Sequence, residues 1–134
     1  MPLNDARRED TIAWLVKARG DLAKARHAIT AKEPFRDDAA YHCQQAIEKA
    51  MKSLLTWHDV PFRKTHSLEE LGRQCIVLDR SLQLLVDQAA PLSEYAWKFR
   101  YPGEEELPTE AETEEALTIA QAVIDAISAR LPTL

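Results

Sequence analysis

A helical repeat of apolar residues constrains the fold of this chain most strongly, and it is clearest in residues 41–55. Apolar side chains recur there at intervals of three and four residues: Cys43, Ile47, Ala50, Met51, Leu54 and Leu55. This spacing places them on one face of an α-helix, whereas a half-buried strand would alternate apolar and polar residues. The same period returns along most of the chain, so we expect an all-α protein.

A row of polar residues runs beside this apolar stripe. Gln45 and Lys49 are four residues apart, and Gln44, Glu48 and Lys52 follow the same interval. Each set therefore lies along one line of the helix surface. Two interpretations are open. The row forms a buried hydrogen-bond network or a dimer contact, in which every polar group needs a partner. Alternatively, it forms a pocket in which Lys52 and a nearby arginine hold a phosphate.

Length, composition and charge favour one helical domain. The 134 residues are enough for a single core, so we predict that residues 1–134 form one domain. Strong helix formers dominate, and glycines number only three. The net charge of -5 argues against a strongly basic nucleic-acid-binding surface, although a local basic patch is compatible with it. Because the chain lacks a bilayer-spanning apolar run and a signal-peptide pattern, we expect a cytoplasmic protein without membrane contact.

Five helical segments are predicted from the apolar period and its interruptions. In chain order they cover about residues 5–31, 37–58, from 67 onwards, 79–100 and 109–130. Asp37 or Asp38 is predicted to cap the second helix, and Ser67 with Glu70 fits a capping box for the third. Pro91 should kink or restart the fourth. The simplest arrangement is an antiparallel up-and-down bundle of four long helices plus one short helix.

The remaining chemically notable residues have ordinary structural interpretations. Cys43 and Cys75 lie in separate segments without metal-ligand spacing, so we predict reduced thiols that pack as small hydrophobes. The acidic run over residues 104–115 is predicted to be a solvated loop and an acid-rich helix start. We expect neither a metal site nor a cofactor. The tryptophans are predicted to lie in the core or an interface: Trp14, Trp57 and Trp97.

Three short motifs occur in a fixed order along this helical pattern. They are Gln44-Gln45-Ala46-Ile47-Glu48-Lys49 with Lys52, then Lys64-Thr65-His66-Ser67-Leu68-Glu69-Glu70-Leu71, and then Phe99-Arg100-Tyr101-Pro102-Gly103. Their order and spacing resemble the HEPN family of small helical domains, over nearly the whole chain. More narrowly, the chain resembles the stand-alone prokaryotic branch that is often encoded beside a minimal nucleotidyltransferase. The resemblance implies an up-and-down bundle, commonly dimeric, in a setting of nucleotide or RNA biology.

The resemblance also implies a toxin–antitoxin or defence system, in which a HEPN subunit is a metal-independent ribonuclease or binds a nucleotidyltransferase partner. The ribonuclease members carry an arginine, four to six residues and then a histidine. Histidine moves the 2′-hydroxyl proton while arginine holds the phosphate. Arg100 stands at the position of that arginine, but residues 105–107 are acidic or apolar and His66 is the last histidine. Arg36 and His42 match the spacing in the second helix and are the catalytic candidates there.

Several of these residues have two open interpretations. His66 either packs at the start of the third helix or joins a ligand site, since its charge can change near neutral pH. Arg100 either pairs with a carboxylate such as Glu48 or contacts phosphate. Tyr101 is predicted to pack its ring on the end of the bundle. The predicted polar cluster comprises Gln44, Gln45, Glu48, Lys52, His66, Arg100 and Tyr101.

Three functional hypotheses follow. In the first, the chain is a homodimer that associates with a nucleotidyltransferase-type protein, and also with nucleotide or RNA, in a toxin–antitoxin or defence-like system. In the second, it is a metal-independent endoribonuclease toxin. In the third, it is a structural dimer module without a ligand. The missing late histidine favours the first hypothesis and leaves enzymatic activity an open question.

Overall fold

The computed structural model describes residues 3–102 and 106–134, and within these ranges every regular element is helical. The all-α prediction is therefore confirmed. The helices are α1 (Leu3–Ile29), α2 (Arg36–Trp57), α3 (Leu68–Leu78), α4 (Gln83–Ala89) and α5 (Glu110–Arg130). Glu104 and Glu105, part of the predicted acidic loop, lie outside the described residues. In the described ranges, none of the helices is both long enough and apolar enough to cross a membrane.

The second helix, α2, lies at the centre of the bundle. It packs along α1 on one side and against α5 on another, and it also contacts α3 and residues 90–96. Because α2 has neighbours on several sides, burial extends around it. The predicted apolar stripe of residues 43–55 is fully buried, and the polar residues Gln44, Gln45, Glu48 and Lys52 are buried as well. The site discussed below therefore belongs to the interior of the bundle.

The start of α2 differs from the prediction. Phe35 is the N-cap residue and makes no side-chain cap, whereas Asp37 and Asp38 lie inside the first turn. The chain enters the helix early because the Phe35 N–H donates to the Ala28 carbonyl at 2.9 Å, and Arg36 Nε donates to a carbonyl near α5. The two carboxylates still lie close to the positive end of the helix dipole.

Side-chain caps mark the starts of α3 and α5. Ser67 Oγ accepts the Glu70 N–H at 3.1 Å, as predicted, but the Glu70 carboxylate accepts from Arg63 Nε instead of closing the capping box. A complete box forms at α5. There Thr109 Oγ1 accepts the Glu112 N–H at 3.1 Å, and the Glu112 carboxylate accepts the Thr109 N–H at 2.9 Å. Local sequence signals thus set both helix starts.

The fourth segment, which was predicted to be kinked or restarted at Pro91, consists of three short pieces and not of one long helix. It consists of a 3₁₀ turn (Arg80–Leu82), the short α4, and a second 3₁₀ stretch (Ala90–Ala96). Asp79 begins it by accepting from the Ser81 N–H and hydroxyl and from Arg130 Nε, the last at 2.6 Å. These hydrogen bonds, those from Ser81 first, lower the pKa of Asp79 to about 2. Pro91 lacks an N–H and ends the α-helical hydrogen-bond pattern.

The core packs tightly around Gly72 and the two cysteines. A Cβ atom built on Gly72 would lie 2.4 Å from Val86 Cγ1, so only glycine lets α3 and α4 approach this closely. Cys43 and Cys75 are free and buried, as predicted. Burial raises the pKa of each thiol to about 12, so both remain protonated near neutral pH.

Candidate functional site

The polar row on α2 forms a closed hydrogen-bond network within the chain. Gln45 Nε2 donates to Gln44 Oε1 at 2.7 Å, and Gln44 Nε2 donates to Glu48 Oε1 at 3.2 Å and to the His66 carbonyl oxygen at 3.0 Å. Lys52 Nζ donates to Glu48 Oε2 at 3.0 Å. His66 Nδ1 lies 2.8 Å from Glu48 Oε1. Both carboxylate oxygens of Glu48 are therefore engaged, and the row supports the buried-network interpretation.

Lys52 is held in surroundings that leave little access to a ligand. Its Nζ atom lies 5.2 Å from the ring centroid of Trp14 and 5.6 Å from that of Phe62. The ammonium group is attracted to the faces of both rings. The side chain is only 9% exposed, and the Glu48 carboxylate balances its charge. The geometry thus favours a structural role for Lys52 over contact with a phosphate.

His66 joins this buried network to the surface. The Glu48 side chain is 4% exposed, whereas that of His66 is 67% exposed. Because an ionised carboxylate can only accept a hydrogen bond, the imidazole carries its proton on Nδ1. The opposite ring nitrogen, Nε2, is left for other contacts. Both predicted roles of His66, at the start of α3 and as a ligand group, remain compatible with this position.

A second cluster, which the sequence patterns did not reveal, has the same design. Asp21 of α1 is 6% exposed, and its Oδ1 lies 2.8 Å from His42 Nδ1. Its Oδ2 accepts from Lys49 Nζ at 2.6 Å. Here too a buried carboxylate binds a lysine with one oxygen and a histidine Nδ1 with the other. The sequence signal that could have predicted this cluster is Asp21 itself, because an aspartate on the buried side of a helix needs polar partners.

Arg100 pairs with a carboxylate, as one of its two interpretations predicts, but the carboxylate is that of Asp38 and not that of Glu48. Its Nη1 donates to Asp38 Oδ1 at 3.0 Å, and its guanidinium carbon lies 4.1 Å from the ring centroid of Tyr41. Glu48 already binds three donors, and it lies ten residues, or about 15 Å, beyond Asp38 along α2. Tyr101 is also mostly exposed, at 64%, instead of packing its ring on the bundle.

The structure separates the predicted pair Arg36 and His42. Arg36 Nε donates to the Pro108 carbonyl at 2.8 Å, whereas His42 turns to the buried carboxylate of α1. Six residues along an α-helix correspond to a rotation of about 120° between the two side chains. Tyr41 instead connects Arg100 with His42, since its ring lies 5.1 Å from the His42 ring, centroid to centroid, in an edge-on arrangement.

Comparison with known proteins identifies the family. A sequence model of the HEPN domain matches residues 12–130. The chain belongs to the HEPN family. The crystal structure of TT1696 from Thermus thermophilus has a similar fold, with a TM-score of 0.73 and 26% sequence identity. The alignment covers 90% of this chain and 98% of TT1696. No curated protein sequence matches the chain. The family predicted from the three motifs is thus confirmed.

Other residues of this HEPN domain complete the description. Trp14 packs edge-on against Phe62, with ring centroids 6.2 Å apart, and the Arg7 guanidinium lies over Trp57. Trp97 is more than half exposed, outside the core. Among the residues that the structure describes, no three metal-ligating side chains converge on one point. Three polar groupings near α2 are thus described: the Glu48 network, the cluster around Asp21 of α1, and the contacts of Tyr41 with Arg100 and His42.

Proposed function

We propose that this HEPN protein acts through association and not through catalysis of its own. It forms a homodimer and binds a nucleotidyltransferase-type protein in the cytoplasm, as part of a toxin–antitoxin or defence-like system. Nucleotide or RNA is the class of further ligand that suits this setting. The family supports the setting, and a surface at one end of the bundle supports the mode of action.

This surface, the α2-entry surface, consists of Phe35, Trp97, Tyr101 and Leu107. All four side chains are more than half exposed, and among the described residues only three other large apolar side chains are similarly exposed. The hydrogen bond from Arg36 Nε to Pro108 joins the start of α2 to the chain before α5. The Arg100–Asp38 ion pair joins α2 to residues 97–101. These contacts bring the four residues to the same end of the bundle.

The composition of the α2-entry surface is that of a protein interface. Aromatic residues and arginine are enriched where proteins contact one another, and they contribute most of the binding free energy. A cluster of exposed apolar side chains on one protein commonly marks such a contact. Arg36 and Arg100 border the aromatic residues, where Arg36 binds the Pro108 carbonyl and Arg100 binds Asp38. This single surface is the observation on which the proposal depends.

The test is a binding measurement with paired variants. The protein would be co-expressed with the product of the neighbouring gene, and its self-association measured by analytical ultracentrifugation. Trp97→Ser and Tyr101→Ser should weaken self-association, or association with the co-expressed protein, at least about tenfold, as truncation of aromatic interface residues does. Val77→Ser and Leu84→Ser are the controls, because both side chains are highly exposed elsewhere, on α3 and α4. Association that is absent, or equally sensitive to all four substitutions, would contradict the proposal.

One observation favours the endoribonuclease as a second candidate. Tyr41 contacts both Arg100 and His42, and a buried carboxylate orients the His42 ring. An oriented imidazole and a nearby guanidinium are the groups that metal-independent RNA cleavage requires. The purified protein would be incubated with RNA in the presence of a chelator. Cleavage that disappears in both Arg100→Ala and His42→Ala would establish this function, and an inactive wild-type protein would argue against it.

A further inference from the structure

The geometry points to an oxyanion site in the groove between α1 and α2, which shares Phe35 with the α2-entry surface. The groove measures about 430 Å³, and its lining includes Lys24 and His27 of α1 with Phe35, Asp38 and His42 at the other side. We propose that it binds a small phosphate-bearing ligand through Lys24, His27 and His42. The proposal assigns a binding site to the nucleotide ligand of the proposed function. Only the identity of the natural ligand rests on that function, and the binding of phosphate does not.

His42 is held in position before any ligand binds. Asp21 Oδ1 lies 2.8 Å from Nδ1, which directs the imidazole proton to that nitrogen and leaves Nε2 for a ligand. The other oxygen of Asp21 accepts from Lys49 at 2.6 Å. The negative charge of Asp21 is therefore matched by Lys49 and is not directed at the groove. A ring that is fixed in this way loses little conformational freedom when it contacts a ligand.

The charges around the groove favour an anion. Lys24 and His27 are exposed on neighbouring turns of α1, and their side chains reach the groove from the same side. Asp38 is the acidic residue in the lining, and Arg100 binds its Oδ1 at 3.0 Å, which offsets its repulsion of an anion. The lysine ammonium donates to anionic oxygens in any rotamer that reaches them. This is unlike the Glu48 network, where the lysine is already paired.

Phosphate suits the groove better than an anion that only accepts hydrogen bonds. When the imidazole has its proton on Nδ1 only, Nε2 is an acceptor, and it needs a donor on the ligand. Monohydrogen phosphate carries one P–OH donor as well as charged oxygens for Lys24. Sulfate carries no such donor at neutral pH. Phosphate should therefore bind more tightly than sulfate, which is not expected of a patch that attracts anions by charge alone.

The test is a titration of the whole protein with inorganic phosphate, followed by calorimetry and by NMR of the histidine rings. We expect saturable binding, with shifted signals for His27 and His42. Lys24→Met and His27→Gln should each weaken binding about tenfold, as loss of a charged hydrogen bond does. Lys17→Met is the matched control one heptad earlier on α1, and His58→Gln is the control at the far end of α2. Both control side chains are exposed.

The outcomes separate this site from the proposed function. Binding that is lost in the groove variants and kept in the controls, with phosphate preferred over sulfate, supports the site. Absent binding, or equal losses in all four variants, overturns it. All four substitutions are on exposed positions, so circular dichroism should show unchanged folding. The association measured at the α2-entry surface does not depend on this titration, and either proposal can fail without the other.

Discussion

Removal of the Glu48 carboxylate should destabilise the protein severely. In Glu48→Ala, the ammonium group of Lys52 stays within the core without its counter-ion, and Gln44 and His66 lose an acceptor. Breaking a buried ion pair from one side typically costs about 3–5 kcal/mol. Since domains of this size are stable by only about 5–15 kcal/mol, the loss would be a large part of the total. The expected cost is this large because both charges are buried: the side chain of Glu48 is 4% exposed and that of Lys52 is 9% exposed.

The partner substitutions should show a different pattern. Lys52→Met leaves Glu48 with two donors and places an apolar chain between the aromatic rings, so we expect a smaller loss of about 1–2 kcal/mol. The double variant Glu48→Leu with Lys52→Met should be less destabilised than Glu48→Ala alone, because apolar replacement of a whole buried pair is often nearly neutral. Glu69→Ala breaks an exposed pair with Arg73 and should cost less than about 1 kcal/mol.

Urea denaturation, followed by far-ultraviolet circular dichroism, measures these four free energies of unfolding. A loss in Glu48→Ala that is no larger than the loss in Glu69→Ala would refute the reasoning, since the Glu48 network would then behave as an exposed ion pair. A double variant as unstable as Glu48→Ala would likewise show that the unpaired lysine is not the source of the cost.

Three further predictions concern packing, pH and reactivity. Gly72→Ala should lower the free energy of unfolding by about 1–3 kcal/mol through its clash with the valine of α4, whereas Gly20→Ala, with open space around the new methyl group, should raise it by about 0.5–1 kcal/mol. The pKa of Asp79 is depressed to about 2 in the folded state. The contribution of Asp79 to the free energy of unfolding is therefore present above its ordinary pKa near 4, and it is lost as the pH falls from about 4 to 2. The stability difference between wild type and Asp79→Asn, measured by urea denaturation across that range, should therefore shrink on acidification, and a difference that is constant with pH would contradict the assignment. The thiols of Cys43 and Cys75 should react with a thiol reagent only after the protein unfolds, as their burial and raised pKa require, so rapid labelling of the native protein would show that the core opens.

Helix positions were largely predictable, because an apolar period is a local property of the chain. The predicted bounds of α1, α2 and α5 agree with the structure to within a few residues at each end. The fourth segment shows the limit of this reasoning. Its apolar spacing suits a continuous helix, but Asp79 caps a separate turn by accepting from the Ser81 N–H and also binds Arg130 of α5, and a 3₁₀ stretch begins at Ala90, next to Pro91. A contact between residues 51 positions apart leaves no trace in local spacing.

The candidate site was predictable in the same partial way. Gln44, Glu48 and Lys52 were expected to lie in one row because they follow the helical interval, and they do form hydrogen bonds along it. The pairing of Asp21 with His42 was not expected, since these residues lie on different helices and share no motif. Arg100 was assigned to the wrong carboxylate for the same reason.

By itself, the sequence determined that the chain is helical, which face of each long helix is buried, and that the three motifs belong to the HEPN family. Each of these depends on residue type and on intervals of a few residues, which the geometry of the α-helix converts directly into position. Only the tertiary structure decided which cation binds which carboxylate, and hence that Lys52 is enclosed while the groove beside His42 is open. That choice depends on how the helices pack against one another, and packing is a property of the whole chain.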